Sequence, residues 1–337
     1  MEQNRYNKLN KYLKGKFGER TLKICVDGGF TCPNRDGTIS TGGCIFCSER
    51  GSGEHIKSVN NISEQIQNYF KSYRAERANK FIVYFQNFTN TYDTIQNLKN
   101  KYDAALIDNR IVGLSVATRP DCINEDVCKL LHSYWDKYYV SVELGLQTSN
   151  DKTGNLINRG YTSEQFINAV SLLNQYNIDV VAHIMVGLPG EDFEDIKNTV
   201  EFINSLPIQG LKIHCTYVVK NTKLADMYNK EDYIPITLED YLNYVCYILT
   251  HISPSIVIHR VSGDAPKDLL LAPNCFIKNH NNTPPIKTYG KTLTSKLIQI
   301  LDDGSATKSY LNLSLPFNSL LAFSIVVIVS SLKGATT

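Results

Sequence analysis

From about residue 20 onward, short runs of β-branched and aromatic residues alternate with stretches whose apolar residues recur at helical spacing. The strand-like runs are residues 22–26, 81–85, 111–116, 138–146, 178–186, 211–219 and 256–258. Between them, Ile62, Ile66, Tyr69, Phe70 and Tyr73 form one helical stripe, preceded by Asn61 and Glu64 as a cap and its N3 partner. Phe166, Ala169, Val170 and Leu173 form another, opened by Thr162 and Gln165 in the capping-box pattern. Parallel strands need a crossover and the intervening helix supplies it, so the alternation predicts an α/β fold with a parallel sheet. Six or seven such units suffice for a barrel or most of one.

In such folds chemistry gathers at the C-terminal ends of the strands. The unusual residues fall there: 86–90 after one strand, 118–121 after the next, Gln147 after another and 187–191 after a fourth. Read together they form one rim. Gln86, Asn87, Asn90 and Arg119 on that rim are candidate substrate contacts, and Arg119 with Asp121 reads equally well as a salt bridge within a turn.

Composition narrows the class. With 42% hydrophobic and 20% charged residues the chain is not wholly disordered, and a net charge of +2 excludes a histone-like polycation. The basic N-terminal segment, 1–20, and its continuation to Lys23 carry Arg5, Lys8, Lys11, Lys14, Lys16 and Arg20 against Glu2 and Glu19. This reads as a solvated basic helix or as an arm that contacts RNA phosphates. The N-terminus has no apolar core, so no secretory signal is expected, and nine cysteines are too few for a disulfide scaffold of this length. A reducing cytoplasm fits, where clustered cysteines bind metal more often than they pair. The folded unit is expected to span 21–275, followed by a divergent tail, 276–337. Residues 309–332 carry no charge over 24 positions, long enough for a bilayer, but eight are Ser or Asn and Pro316 interrupts them. A membrane anchor is therefore disfavoured, while a docked strand or helix and a tail outside any folded domain stay open.

Cys32, Cys44 and Cys47 share one loop after the first strand. Cys44 and Cys47 have a spacing at which two thiolates reach one metal centre, and Gly37, Gly42 and Gly43 let the loop fold back toward Cys32. Three thiolates leave a coordination position open. A structural zinc would need a fourth ligand, for which His55 is the nearest candidate. A cubane iron–sulfur cluster would instead keep one iron free for substrate or cofactor. The scattered Cys25, Cys122, Cys128, Cys215, Cys246 and Cys275 read as small core hydrophobes.

At these residues the chain resembles the radical S-adenosylmethionine (SAM) superfamily, whose cluster motif ends in Cys-x-aromatic-Cys, here Cys44-Ile45-Phe46-Cys47. The first cysteine interval is eleven residues rather than the usual three, a departure that specific branches share. Segments 28–37, 84–92, 118–121, 143–147 and 183–191 look like the YhcC/MnmL branch, related to the radical domains of coproporphyrinogen oxidase-like enzymes and of the Elongator catalytic subunit. The resemblance covers about residues 5 to 275 in order and implies a partial (β/α)6-type barrel with parallel strands, plus a short irregular C-terminal extension.

The resemblance also implies a [4Fe-4S] cluster on Cys32, Cys44 and Cys47, whose free iron chelates SAM. One electron from an external donor of the flavodoxin or ferredoxin type would cleave SAM to methionine and a 5′-deoxyadenosyl radical. Phe46 would pack near the adenine, Gln147 and Arg159 would hold the methionine end, and Gly187 to Pro189 would let backbone approach the adenine. Glu143 and His183 share strand parity with Gly145 and Gln147 and are assigned polar cofactor contacts. Read without the family, Glu143 is an ion-paired structural residue and His183 a satisfied core histidine. Lys212 and His214 alternate onto one strand face, inside the barrel or at an edge. Arg260 and Lys267 lie in a segment, 259–268, that would close the barrel end and either contact an anionic substrate or cap the fold.

For function, the branch implies work on the C5 side chain of wobble uridine in tRNA, such as conversion of carboxymethylaminomethyl toward aminomethyl. Elongator-type acyl transfer is not expected, because only about 60 residues follow the radical domain. Two other readings remain: a radical enzyme on a small molecule of the porphyrin-pathway type, and a zinc-stapled RNA-binding module.

Overall fold

The computed structural model describes residues 6–51, 53, 56, 61–263 and 268–273. His55, Lys267, Cys275 and the tail 276–337 lie outside the described residues. Seven parallel strands form a curled half-barrel: β1 (Thr21–Val26), β2 (Lys80–Phe85), β3 (Ile111–Thr118), β4 (Tyr139–Gln147), β5 (Asp179–Val186), β6 (Gly210–Cys215) and β8 (Val257–Arg260) stand in that order. The implied six-stranded barrel thus carries a seventh strand at its far edge.

Residues 211–219, which read as one strand, serve two sheets. Thr216 N–H donates to the Val186 carbonyl at 3.0 Å and ends the main ladder. The chain then enters β7 (Val218–Val219), which pairs antiparallel with β9 (Leu270–Ala272). An unbroken apolar run cannot reveal a change of partner.

Alternation along the strands sorts core from cavity. In β4, Val140, Val142, Leu144 and Leu146 are buried outward against helices, while Ser141, Glu143, Gly145 and Gln147 point to the barrel interior. The outer layer is α2 (Ile62–Phe70), α3 (Ile95–Asp103), α4 (Glu125–His132), α6 (Ser163–Gln175), α7 (Phe193–Asn204) and α9 (Leu238–His251), with the short α5 (Asp151–Leu156) and α8 (Lys223–Asn229) in loops above the strands. Both sequence-read caps form: Asn61 accepts from Glu64 N–H, and Thr162 with Gln165 makes a reciprocal capping box.

Over its described residues, 6–20, the basic N-terminal segment is neither a free arm nor a merely solvated helix. Its helix, α1 (Leu9–Phe17), packs against both edge strands, β1 and β8. Just before it the Asn7 carbonyl accepts from Ile258 N–H at 2.7 Å, and at its end Phe17 lies against Tyr139 at the start of the central strand β4. Leu13 is buried and, with Leu9 and Asn10, faces into the barrel, while Lys11, Lys14 and Lys16 face solvent. Apolar residues on one side and lysines on the other make α1 a plug for the N-terminal end of the half-barrel. Among the described residues, no helix is long and apolar enough to cross a membrane.

Candidate active site

A cavity of about 510 Å³ opens at the C-terminal ends of the strands and runs down into the barrel. Its rim is the cysteine loop after β1. The Cys32 carbonyl accepts from Arg35 and Asp36 N–H, the Asn34 carbonyl from Gly43 N–H, and the Cys44 carbonyl from Cys47 N–H, which closes the loop on itself. Gly43 has φ +74°, and a Cβ there would lie 2.9 Å from Arg35 Cγ, so both the turn and the packing demand glycine. Two strands of contact dock the loop: Ile45 N–H donates to the Ile157 carbonyl and Leu224 N–H to the Ile45 carbonyl. All three thiols face the cavity. Asn34 Nδ2 donates to Cys44 Sγ at 3.8 Å and Arg35 Nη1 to Cys47 Sγ at 3.6 Å. Desolvation pushes the Cys44 thiol up to about 11, a neutral state that a bound metal would replace by displacing the proton.

The floor lies deeper, about two residues down each strand. Glu143 on β4 is fully buried and takes four donors: Lys23 at 2.5 Å and Ser115 at 3.3 Å on Oε1, His183 at 2.8 Å and Lys212 on Oε2. Lys23 and Lys212 also stand over the Tyr84 ring, 5.0 and 4.3 Å from its centroid. Burial alone would raise the Glu143 carboxyl, but the Lys212 and Lys23 charges outweigh it and hold it well below the usual carboxylate range. Burial brings Lys212 down to about 8 despite Glu143, and brings His183 down to about 4, so His183 donates to Glu143 as a neutral imidazole. The His214 ring lies 5.2 Å from that of His183, tilted by 41°, and burial holds its imidazole well below the usual histidine range.

Comparison with known proteins decides what this cavity belongs to. The radical SAM superfamily profile matches residues 35–203, and the radical SAM C-terminal domain profile matches 208–289. YtqA of Bacillus subtilis is 38% identical over 277 residues, covering 80% of this chain and 84% of that protein. The chain belongs to the radical SAM superfamily. YhcC of Escherichia coli K12 is 37% identical over 262 residues, 77% of this chain and 84% of its own. A tRNA uridine(34) acetyltransferase of Methanocaldococcus jannaschii is 28% identical over 167 residues, 49% of this chain and 30% of its own. The solved structure of Methanocaldococcus infernus Elp3 shares the fold, with a TM-score of 0.62 at 18% identity over 84% of this chain and 63% of its own.

Radical SAM proteins use a [4Fe-4S] cluster and SAM, and the donor set on the rim suits the cluster. Among the described residues, no three His, Cys, Asp or Glu side chains converge on a single ion. One zinc would hold its sulfurs about 3.8 Å apart, given Zn–S bonds of about 2.3 Å. A cubane offers each cysteine its own iron and accepts a wider spacing, and N–H donors to the sulfurs, as from Asn34 and Arg35 here, are the usual support of such a cluster.

Other expected site residues divide by position. Phe46, Gln86, Gln147, Arg119, Glu143, His183, Lys212, His214 and Arg260 all line the cavity. Gln147 does so at φ +66°, a backbone cost at a strand end where β4 slips register against β5. Arg119 both lines the cavity and forks onto Asp121 at 2.9 and 2.7 Å. Arg159 does not reach the cavity. Its guanidinium is fully buried and donates to the Leu146, Thr148 and Tyr161 carbonyls and to Asp151, so four of five donors hold the turn after β4. Asn90 likewise spends its amide on the Phe85 and Ala117 carbonyls, and Asn87 is buried beneath Gly53. Gly187 and Pro189 form the turn after β5; Gly187 packs on Ile236, and neither lines the cavity.

Lys23, read as the end of the basic stretch, Cys25, read as a core hydrophobe, and Tyr84, given no site role of its own, all line the cavity. Cys25 faces the cavity instead of the core, while Cys128 and Cys246 are buried as expected. A lysine inside a strand of a parallel sheet, which is normally covered on both faces, was the available signal.

Proposed function

We propose that this radical SAM enzyme modifies the C5 side chain of wobble uridine in tRNA, in the cytoplasm, with an electron supplied by a flavodoxin or ferredoxin type donor. When bound, the cluster supplies the electron that cleaves SAM into methionine and a 5′-deoxyadenosyl radical. The observation that carries the reading is one cavity with cysteines at its mouth and hydrogen-bonding side chains on six neighbouring strands below them. Cys32, Cys44 and Cys47 hold the cluster at the mouth, and Phe46 and Gln147 stand beside them to orient SAM. The barrel wall and the α1 plug keep water away from the floor, where a substrate side chain would be presented. Support for uridine comes from the relative named for tRNA uridine(34), which matches 49% of this chain. The basic face of α1 does not add to it, because that face lies at the opposite end of the barrel from the cysteines.

The test uses the full chain, reconstituted anaerobically with iron and sulfide, reduced and supplied with SAM and tRNA rich in carboxymethylaminomethyluridine. Nucleoside mass analysis should show conversion at the wobble position, with 5′-deoxyadenosine formed in step. Formation of 5′-deoxyadenosine with free tetrapyrrole precursors, and none with tRNA, would replace this reading with the small-molecule one.

A further inference from the structure

The charges that line the cavity do not balance. Lys23, Arg35, Arg119, Lys212 and Arg260 line it against a single carboxylate, Glu143, among the described residues. Two of the five cations are committed near the rim: Arg119 is forked onto Asp121, and Arg35 donates to the Ser48 carbonyl at 2.6 Å and to Cys47. The surplus therefore sits on the floor.

Counting donors leads to the same place. The Glu143 oxygens are saturated by their four donors. An ammonium has three N–H groups. Lys23 spends two, on Glu143 and on Ser115 at 3.5 Å, and Lys212 spends two, on Glu143 and on Tyr84 Oη at 3.3 Å. Each keeps one N–H for the cavity. Arg260 pairs with Lys212 in the β6–β8 backbone register; its side chain is exposed at the open edge of the cavity and makes no hydrogen bond or ion pair among the described residues. His214 adds a buried Nε2 with no partner among the described residues. Two lysines around one carboxylate leave a positive charge in a poorly solvated place, a cost that a bound anion would relieve.

We propose that Lys23, Lys212 and Arg260 form a seat for a compact oxyanion of the substrate. A carboxylate on the uridine side chain and a phosphate of the nucleotide share this chemistry. The inference rests on the reading of the cavity as the reaction site, and adds to it which end of the substrate enters first: the charged one. The seat lies below the cysteine rim. Glu143 stands opposite Ala117 in the β3–β4 register, two residues before Arg119 and so about 7 Å below the rim at strand rise.

The experiment is equilibrium binding, without reductant, to the full chain carrying its cluster and saturated with SAM. The probes are 5-carboxymethylaminomethyluridine, 5-aminomethyluridine and uridine 5′-monophosphate, followed by isothermal titration. The carboxylate-bearing nucleoside should bind at least about tenfold tighter than the aminomethyl one, since a charged hydrogen bond is worth a factor of this order. Lys212→Met and Arg260→Gln should each remove most of that difference while SAM affinity stays unchanged. Arg260→Gln keeps the test decisive even if the lysine variant folds poorly, because Arg260 does not touch Glu143. Tighter binding of the monophosphate, lost in the same variants, would support the seat and name phosphate as its anion. Equal binding of all three probes, or a preference that survives both substitutions, overturns the proposal. Failure of tRNA conversion with carboxylate binding intact would sink the proposed reaction and leave the seat standing.

Discussion

The rim and the floor of one cavity are built in opposite ways. The three rim cysteines fall within sixteen consecutive residues, 32–47, shaped by backbone bonds inside the loop and by positive-φ glycines. The floor takes Lys23, Tyr84, Ser115, Glu143, His183 and Lys212, one from each of six strands. A local loop can change its chemistry without disturbing the sheet, whereas the floor is held by the same charges that hold the strands' inner faces together. Damage at the rim should therefore appear as lost cofactor, and damage at the floor as lost stability.

The strongest test of that contrast is Cys44→Ala, which should abolish iron loading and 5′-deoxyadenosine formation while shifting the urea stability of the metal-free chain by less than about 1 kcal/mol. Equal loss of fold would erase the distinction. Next comes Glu143→Gln, which leaves two buried lysines without their counter-charge and should cost about 3–5 kcal/mol by urea denaturation. The double substitution Glu143→Gln with Lys212→Met should recover much of it, since the surplus charge goes too. Arg159→Met sharpens the comparison from the loop side. It strips donors from three buried carbonyls, so a loss on the order of 3 kcal/mol is expected, with SAM affinity kept if Arg159 serves the turn alone.

The smallest effect is a pH slope. His183 takes a proton near 6.5 when unfolded and only near about 4 in the folded chain, so between those values the unfolded state binds more protons and acid favours unfolding. His214 and His259 are lowered in the same direction. Stability should fall as the pH drops through this window, by about 1.4 kcal/mol per unit for each depressed imidazole. Glu191, which burial raises to about 7, holds a proton in the folded chain over the same window and offsets about one imidazole, so His183→Gln should flatten the net slope by roughly half. A pH-independent stability across the window would mean that the floor is more solvated than its packing implies.

Much of the frame was legible in advance because its signals are local. The strand alternation, the caps at Asn61 and Thr162, and the cysteine spacing each lie within a few residues of what they specify. The split of 211–219 was not legible, since apolar content is the same whichever sheet receives the strand. Arg159 shows another limit: an arginine near a cofactor motif looks like a charge for a ligand, and only its distances to Leu146, Thr148 and Tyr161 carbonyls reveal a bracket for the turn. The basic segment before residue 20 likewise showed its charge but not its place, which the Asn7–Ile258 contact and the buried Leu13 decide.

By itself the sequence determined the parallel α/β layout and the cysteine trio, which depend on periodicity and short spacing, while the class of chemistry came from the resemblance of its motifs to the radical SAM superfamily. Tertiary structure alone decided that Lys23 and Lys212, 189 residues apart, share one carboxylate from the middle of the chain. Such a meeting depends on sheet order, curvature and register, and those are settled by the packing of the whole barrel, not by any segment of it.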